Sequence, residues 1–259
     1  MSTKRILFII ILVFTLLPVQ LQAKEPTGRE LAQKVYDFDI GDNSIARMSM
    51  ELKSAGGSSR MRKLINMTMD DADIRKTMIR FLEPADIAGT GFLSIEQEDG
   101  STEQFLYLPA LDRTRRIVAD QKGRSFVNSD FTYEDMQRRP VQDFEQEIVG
   151  QEEVQGYDCW ILEQKPLREA NSQYALIKSW VPKDIALPIQ AHFFSSPNTH
   201  SKTYKVPELK KIQGFWTPMQ MVMISHEDGH QTILRTEEIE YNSPQVQESY
   251  FSTRYLENW

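Results

Sequence analysis

The sequence predicts a mainly β fold, a large curled antiparallel sheet or open barrel with helices covering one mouth or face. Three observations predict it. From Ile45 onward, apolar residues recur at every second position, which is the period of a strand. The gaps between these runs are short and carry turn chemistry: Gly56-Gly57, Asp99-Gly100, Gly156, Pro197-Asn198 and Asp228-Gly229. Strands joined by short turns pair antiparallel. Finally, only the start of the chain shows sustained helical spacing, so strands must supply most of the packed layers.

The elements follow in order. Lys4 and Arg5 precede an apolar run from Ile6 to Leu17, Pro18 ends it, and Ala23 offers a small residue for cleavage. This is the layout of a secretory signal peptide over 1–23, too short for a membrane-spanning helix. Thr27 to Phe38 is a helix: Leu31, Val35 and Phe38 share a face, and Thr27 with Glu30 forms a capping box. Strands are expected at 45–53, 60–69, 76–82, 91–97, 103–108, 112–118, 144–152, 156–164, 174–182, 187–195, 201–207, 216–225 and 231–240. Asp99-Gly100 and Asp228-Gly229 are the sharpest hairpin signals. Residues 131–137 read as a short capped helix with acids in its first turn. No linker or repeat divides the chain, so 24–259 is expected to be one domain.

Composition narrows the function. The chain has 259 residues, 40% of them hydrophobic, a net charge of −7 and one cysteine. Loss of Lys4 and Arg5 with a leader makes the remaining chain more acidic still. An acidic chain lacks the basic face that a nucleic-acid binder needs. One cysteine excludes a disulfide framework or a Cys-rich metal centre; Cys159, in an apolar run, reads as a small buried hydrophobe.

The methionines fall at alternating positions. Met48 and Met50 point one way with Leu52; Met61, Met67 and Met69 share a face with Ile65; Met219, Met221 and Met223 share another. Phe92, Phe105, Tyr107, Trp180, Phe193 and Trp216 add aromatics on strands of the same kind. These are either inner faces of a packed core or an adaptable apolar surface for acyl chains, since Met re-packs easily around varied ligands. The one dense basic patch is Arg113, Arg115 and Arg116. Alternation puts Arg113 and Arg115 on one face and Arg116 on the other, as a solvated strand or as a docking patch for an acidic partner or lipid head groups.

Motifs for catalysis fail on context. His226-Glu227-Asp228-Gly229-His230 matches H-E-x-x-H literally, but the zinc proteases need that spacing on a helix, and here it straddles a hairpin turn. His192 and His200 show no ligand spacing. Gly89-Thr90-Gly91 lacks the frame of a dinucleotide site. Asp130, Glu134 and Asp135 lack a convergent polar pocket. The reading is of a non-enzyme with no catalytic residues, no metal and no cofactor.

Four stretches carry a family resemblance. Phe81-Leu82-Glu83-Pro84-Ala85-Asp86-Ile87-Ala88-Gly89-Thr90-Gly91-Phe92-Leu93 resembles the F-x-x-P-x-x-I-x-G-T-x-F-L stretch of the outer-membrane lipoprotein-sorting-like family, relatives of LolA and LolB. The stretches 105–117, 125–136 and 251–256 agree with it in order, including Ser129-Asp130-Phe131 and the terminal Phe251-Ser252-Thr253-Arg254-Tyr255-Leu256. Asn128 stands where the family commonly has Gly, a departure that bears on the local turn. The resemblance implies an α+β, mainly β protein: a curved antiparallel sheet forming an open half-barrel, with helices covering the concave side. It implies a periplasmic carrier whose concavity receives lipid or the acyl chains of a lipoprotein, in transient contact with membranes. It also implies companionship with an RND-type inner-membrane exporter. No Cys follows the apolar leader, unlike the lipid-anchored LolB, which favours soluble ferrying. On this reading the cavity is lined by Met48, Met50, Met67, Met69, Met219, Met221 and Met223 with the aromatic positions above, the basic patch docks a partner, and helices 27–38 and 131–137 act as a lid. The alternative is a non-carrying adaptor that docks on the exporter.

Overall fold

The computed structural model describes residues 24–71 and 74–258. The expected leader over 1–23 lies outside the described residues. Helix α1 spans Gly28–Tyr36. Its capping box forms as expected: the Glu30 amide donates to Thr27 Oγ1 at 3.2 Å, and the Thr27 amide donates to the Glu30 carboxylate at 2.7 Å. Both satisfy orphan donors of the first turn.

The strands are β1 (Asn43–Lys53), β2 (Ser59–Asp71), β3 (Ile74–Glu83), β4 (Gly91–Glu96), β5 (Thr102–Leu108), β6 (Arg113–Ile117), β7 (Phe144–Val154), β8 (Tyr157–Pro166), β9 (Leu176–Pro182), β10 (Gln190–Ser196), β11 (Thr199–Ile212), β12 (Phe215–Ser225) and β13 (Gln231–Tyr241). Every expected strand is present, shifted by a few residues at its ends. A short helix, α2 (Thr253–Glu257), follows β13. No described helix is long and apolar enough to cross a membrane.

Among the described residues, the strands form one antiparallel sheet in the order β6-β5-β4-β3-β2-β1-β13-β12-β11-β10-β9-β8-β7. This is two meanders joined by the pairing of β1 with β13. The strands β6 and β7 are neighbours in sequence but occupy opposite edges. The chain between them, residues 118–143, must therefore cross from one edge to the other.

It crosses on the inner side. One apolar cluster contains Phe92 and Leu106 from one wing, Ile177 and Phe193 from the other, and Phe126, Phe131 and Tyr133 from the crossing segment. Strands so far apart in the order share a cluster only if the sheet curls around the segment. Helix α1 lies on the same side over β7–β9: Leu31 and Ala32 pack with Trp160, Leu162 and Val181. Gly28 makes that approach possible, because a Cβ there would meet the Gln146 carbonyl oxygen at 2.5 Å.

The outer side has a cover of its own over the other wing. Leu256 of α2 packs with Met67, Met78, Leu93 and Tyr107. A Cβ at Gly91 would meet Leu256 at 2.6 Å. The helix expected at 131–137 is only a 3-10 turn, Glu134–Met136, and Gln137 leaves it extended. The Thr132–Asp135 exchange satisfies the first amides there, but Asp135 is also drawn to Tyr174, so tertiary contacts fix a single turn.

Candidate functional site

The inner face is built from the sheet outward. In an antiparallel sheet, residues directly opposite one another share a face. Met48 is opposite Leu64, and Leu64 is opposite Phe81. Met50 lies opposite Leu234, which lies opposite Met221. Leu52, Thr232, Met223 and Tyr204 form the next row. On one wing Ile79, Phe92 and Leu106 continue the layer; on the other, Phe193 is opposite Ile177. The result is a broad trough of Met, Leu and aromatic side chains.

The crossing segment fills the trough with aromatics. The Phe126 ring meets Phe92 edge-on at 5.0 Å and Tyr133 edge-on at 5.8 Å, the geometry that aromatic quadrupoles favour. Tyr174, just before β9, sits 4.8 Å from Phe193. Polar contacts hold the segment to both wings. Gln104 Nε2 donates to the Tyr133 carbonyl at 2.9 Å. Thr232 Oγ1 donates to the Asp130 carboxylate at 2.6 Å. The Tyr174 hydroxyl donates to Asp135 at 2.9 Å, and Lys202 and Arg139 lie at 3.6 and 3.8 Å from that carboxylate. Glu134 accepts from the Gln173 amide at 2.9 Å and from Ser172. Burial, with Asp135 beside it, pushes the Tyr174 hydroxyl well above its usual range, so it acts as a donor. The segment passes Val127 and Asn128 with φ of 49° and 58°. Asn is one of the few non-glycine residues at ease there, which accounts for Asn128 in place of the family glycine.

The expected cavity residues separate into two groups. Met48, Met50, Phe92, Phe193 and Met223 are buried together on the inner face, and Met221 packs against them. Met219, by alternation with Met221, faces the same way. Met67, Met69, Phe105 and Tyr107 lie on the outer face, beneath α2. The reason is register: Met48 and Met50 are opposite Leu64 and Arg62, not Met61 and Met67. A parity difference of one residue moves every side chain of a strand to the other face. Trp180 is also on the outer side, in a cluster with Cys159, and its indole donates to Glu152 at 2.7 Å. Trp216 is half-buried with the Lys211 ammonium 5.8 Å from its ring centroid.

The basic patch is on edge strand β6. Arg113 and Arg115 are exposed and lie opposite Leu108 and Leu106, while Arg116 lies opposite Phe105. Arg116 pairs with Glu103 at 2.6 Å.

Three of the histidines, His192 and His200 without ligand spacing and His226 from the H-E-x-x-H match, gather in space. His192, His200 and His226 lie in a row on the outer face, their rings tilted to one another with centroids 4.4 Å apart, next to Trp180. Burial and the neighbouring rings pull His192 down to about 4. His226 and His230 do flank the β12–β13 turn. His230 joins Asp228 and Asp130, whose ligand atoms lie within 4.8 Å of one another and could hold a metal ion. Burial, then Asp228, raises the Asp130 carboxyl, against the hydrogen bond from Thr232.

Two open hollows among the described residues lie elsewhere. One, of about 330 Å³, is on the outer face between Ile45, Ile65, Met67, Tyr250 and Tyr255. The other, of about 250 Å³, is polar and sits at the β7–β8 edge. Sequence reasoning missed Phe126, Tyr133, Tyr174 and Arg62 as inner-face residues. The first two lie in or beside the Ser129-Asp130-Phe131 motif, which was the available signal.

The comparisons agree with this architecture. A family profile described only as that of an uncharacterized protein matches residues 73–258. The chain is similar to a domain from Vibrio parahaemolyticus described as an outer-membrane lipoprotein-sorting protein. They are 30% identical with a TM-score of 0.81, over 89% of this chain and 98% of that one. It is similar to a DUF1329 family protein from Desulfovibrio piger, at 28% identity and TM-score 0.82, over 88% and 97% of the two chains. A LolA superfamily protein from Nitrosomonas europaea shares the fold, with 15% identity and TM-score 0.68 over 89% and 100%. No curated protein matches the chain.

Proposed function

The chain belongs to the outer-membrane lipoprotein-sorting-like family, with a LolA-like half-barrel, and we propose on that basis that it is a periplasmic carrier for lipid or the acyl chains of a lipoprotein. Its leader is removed near Ala23, and residues 24–259 act as one carrier domain. One observation carries the reading: the apolar inner trough is closed by a crossing segment rather than by the sheet itself. A tail that enters must replace Phe126 and Phe131 on the trough. The exchange is of like for like, since buried methylenes on either side are worth about 0.8 kcal/mol each. Unbranched Met48, Met50, Met221 and Met223 tolerate the change of shape. No catalytic step and no cofactor enters this function.

The experiment is binding of a fluorescent fatty-acid probe to delipidated protein. Met221→Asp, on the inner face, is expected to abolish probe binding in a folded protein. Met67→Asp, on the outer face, is expected to lower stability and leave the probe affinity of the folded fraction unchanged. Failure of the wild type to take up any acyl probe or lipoprotein removes the proposal.

The packed trough and the exposed Arg113 and Arg115 on an edge strand favour a second reading, an adaptor that docks on an RND-type exporter. Under it, Arg113→Glu breaks co-purification with that exporter and acyl probes do not bind. Unchanged co-purification counts against the patch.

A further inference from the structure

We propose that Arg62 receives the anionic head of an amphiphile, a carboxylate or phosphate, while the apolar tail lies along the inner trough; the inference rests on the carrier reading above. Arg62 is the fourth residue of β2 and lies opposite Met50, so its guanidinium enters the inner layer. It is only 8% exposed. Its partners are weak for a full charge. Nη1 donates to the Val127 carbonyl at 2.6 Å and lies 3.9 Å from the Met50 sulfur. The guanidinium carbon stands 5.8 Å from the Phe81 ring centroid.

Three cations in or beside the crossing segment are matched to carboxylates, while Lys122 meets only the Gln137 side-chain oxygen, at 3.3 Å. Arg139 and Lys202 both face Asp135, and Arg138 pairs with Glu96. Among the described residues, no carboxylate lies within ion-pair distance of Arg62, and Asp86 acts on it only from farther away. A buried cation without a counter-charge is costly. Arginine also presents five N–H donors in a planar fork suited to bidentate anions, and the Val127 carbonyl takes one.

The contact to Val127 is itself held under strain. Val127 has φ of 49°, a conformation a β-branched residue rarely adopts. A carboxylate or phosphate makes a stronger, charge-assisted pair than this carbonyl, so it would displace it. The location suits a head group. Arg62 is near the β1–β2 turn, at the rim, and Met48, Leu64 and Phe81 continue the face deeper into the trough.

The test compares three fluorescent probes on the same full-length protein: a long-chain fatty acid, its methyl ester, and lysophosphatidic acid. The wild type should bind at least one acidic probe about ten- to a hundredfold more tightly than the ester, the usual worth of a hydrogen-bonded charge. Arg62→Gln should erase that preference and keep the ester affinity; Arg62→Lys should keep part of it. Tight binding of only one acidic probe identifies the head as carboxylate or phosphate. Equal wild-type binding of acid and ester, or a preference that survives in Arg62→Gln, overturns the inference alone. Binding of no probe overturns the carrier reading and this inference with it. If Arg62→Gln does not fold, the wild-type preference and its reduction in Arg62→Lys decide.

Discussion

At the scale of single residues, the unexpected feature is the histidine row. Along the chain, His192 and His200 have no ligand spacing and His226 is spaced only against His230, and only the pairing of β10, β11 and β12 puts the rings of His192, His200 and His226 in contact. The row makes a prediction about acid. Burial first, then His200, His226, Lys205 and Lys178, depress His192 from 6.5 to about 4. Above 6.5 both folded and unfolded chains hold a neutral imidazole there, and the contribution to stability is complete. Between 6.5 and 4 the unfolded chain takes up the proton first, so stability is lost as pH falls. Thermal melts between pH 7 and 5 should show a smaller fall in Tm for His192→Phe than for the wild type. An equal fall in both would show that His192 is not a source of acid sensitivity.

At the scale of elements, the crossing segment matters most. It has almost no regular structure: 3-10 turns at Ala119–Gln121, Glu134–Met136 and Val141–Asp143, with side-chain clasps from Asp130, Glu134 and Asp135. Such a segment opens at lower free energy than the strands beneath it, because its backbone hydrogen bonds run almost entirely within the segment and not into the ladders of the sheet. Hydrogen exchange should therefore quicken in 119–137 when an acyl probe is added, while β1, β2 and β13 stay protected. Uniform protection with the probe bound would place the ligand outside the trough. The sequence marked this region through Ser129-Asp130-Phe131 but suggested an α-helical lid. It could not show that Asp135 would be satisfied by Tyr174 and Lys202 from the opposite wing, with Arg139 of the segment itself beside them.

At the scale of the whole molecule, two apolar layers lie back to back across one sheet. The inner layer holds Met48, Met50, Phe92, Phe193 and Met223 against the crossing segment; the outer holds Met67, Met78, Leu93 and Tyr107 against α2. They should respond separately. Leu256→Asp places a charge in the outer layer, where Leu256 is fully buried. It should destabilise the protein by about 2–5 kcal/mol in urea unfolding. Probe affinity of the remaining folded protein should stay as in the wild type; a matching loss of affinity would mean that the two layers are coupled.

By itself, the sequence determined the strands, their turns, the Thr27–Glu30 cap and the mainly β class. Period two, turn residues and caps are local properties, set within a few positions of the chain. The family motifs carried the half-barrel. Only the tertiary structure decided that β1 pairs with β13, that residues 118–143 traverse the inner face, and that the methionines divide between two layers. Those outcomes depend on register between strands distant in sequence. Alternation says that two faces exist, but only the pairing of Met48 with Leu64 and of Met50 with Arg62 says which face is the trough. The same register places a buried guanidinium among apolar side chains, where no local pattern would have put it.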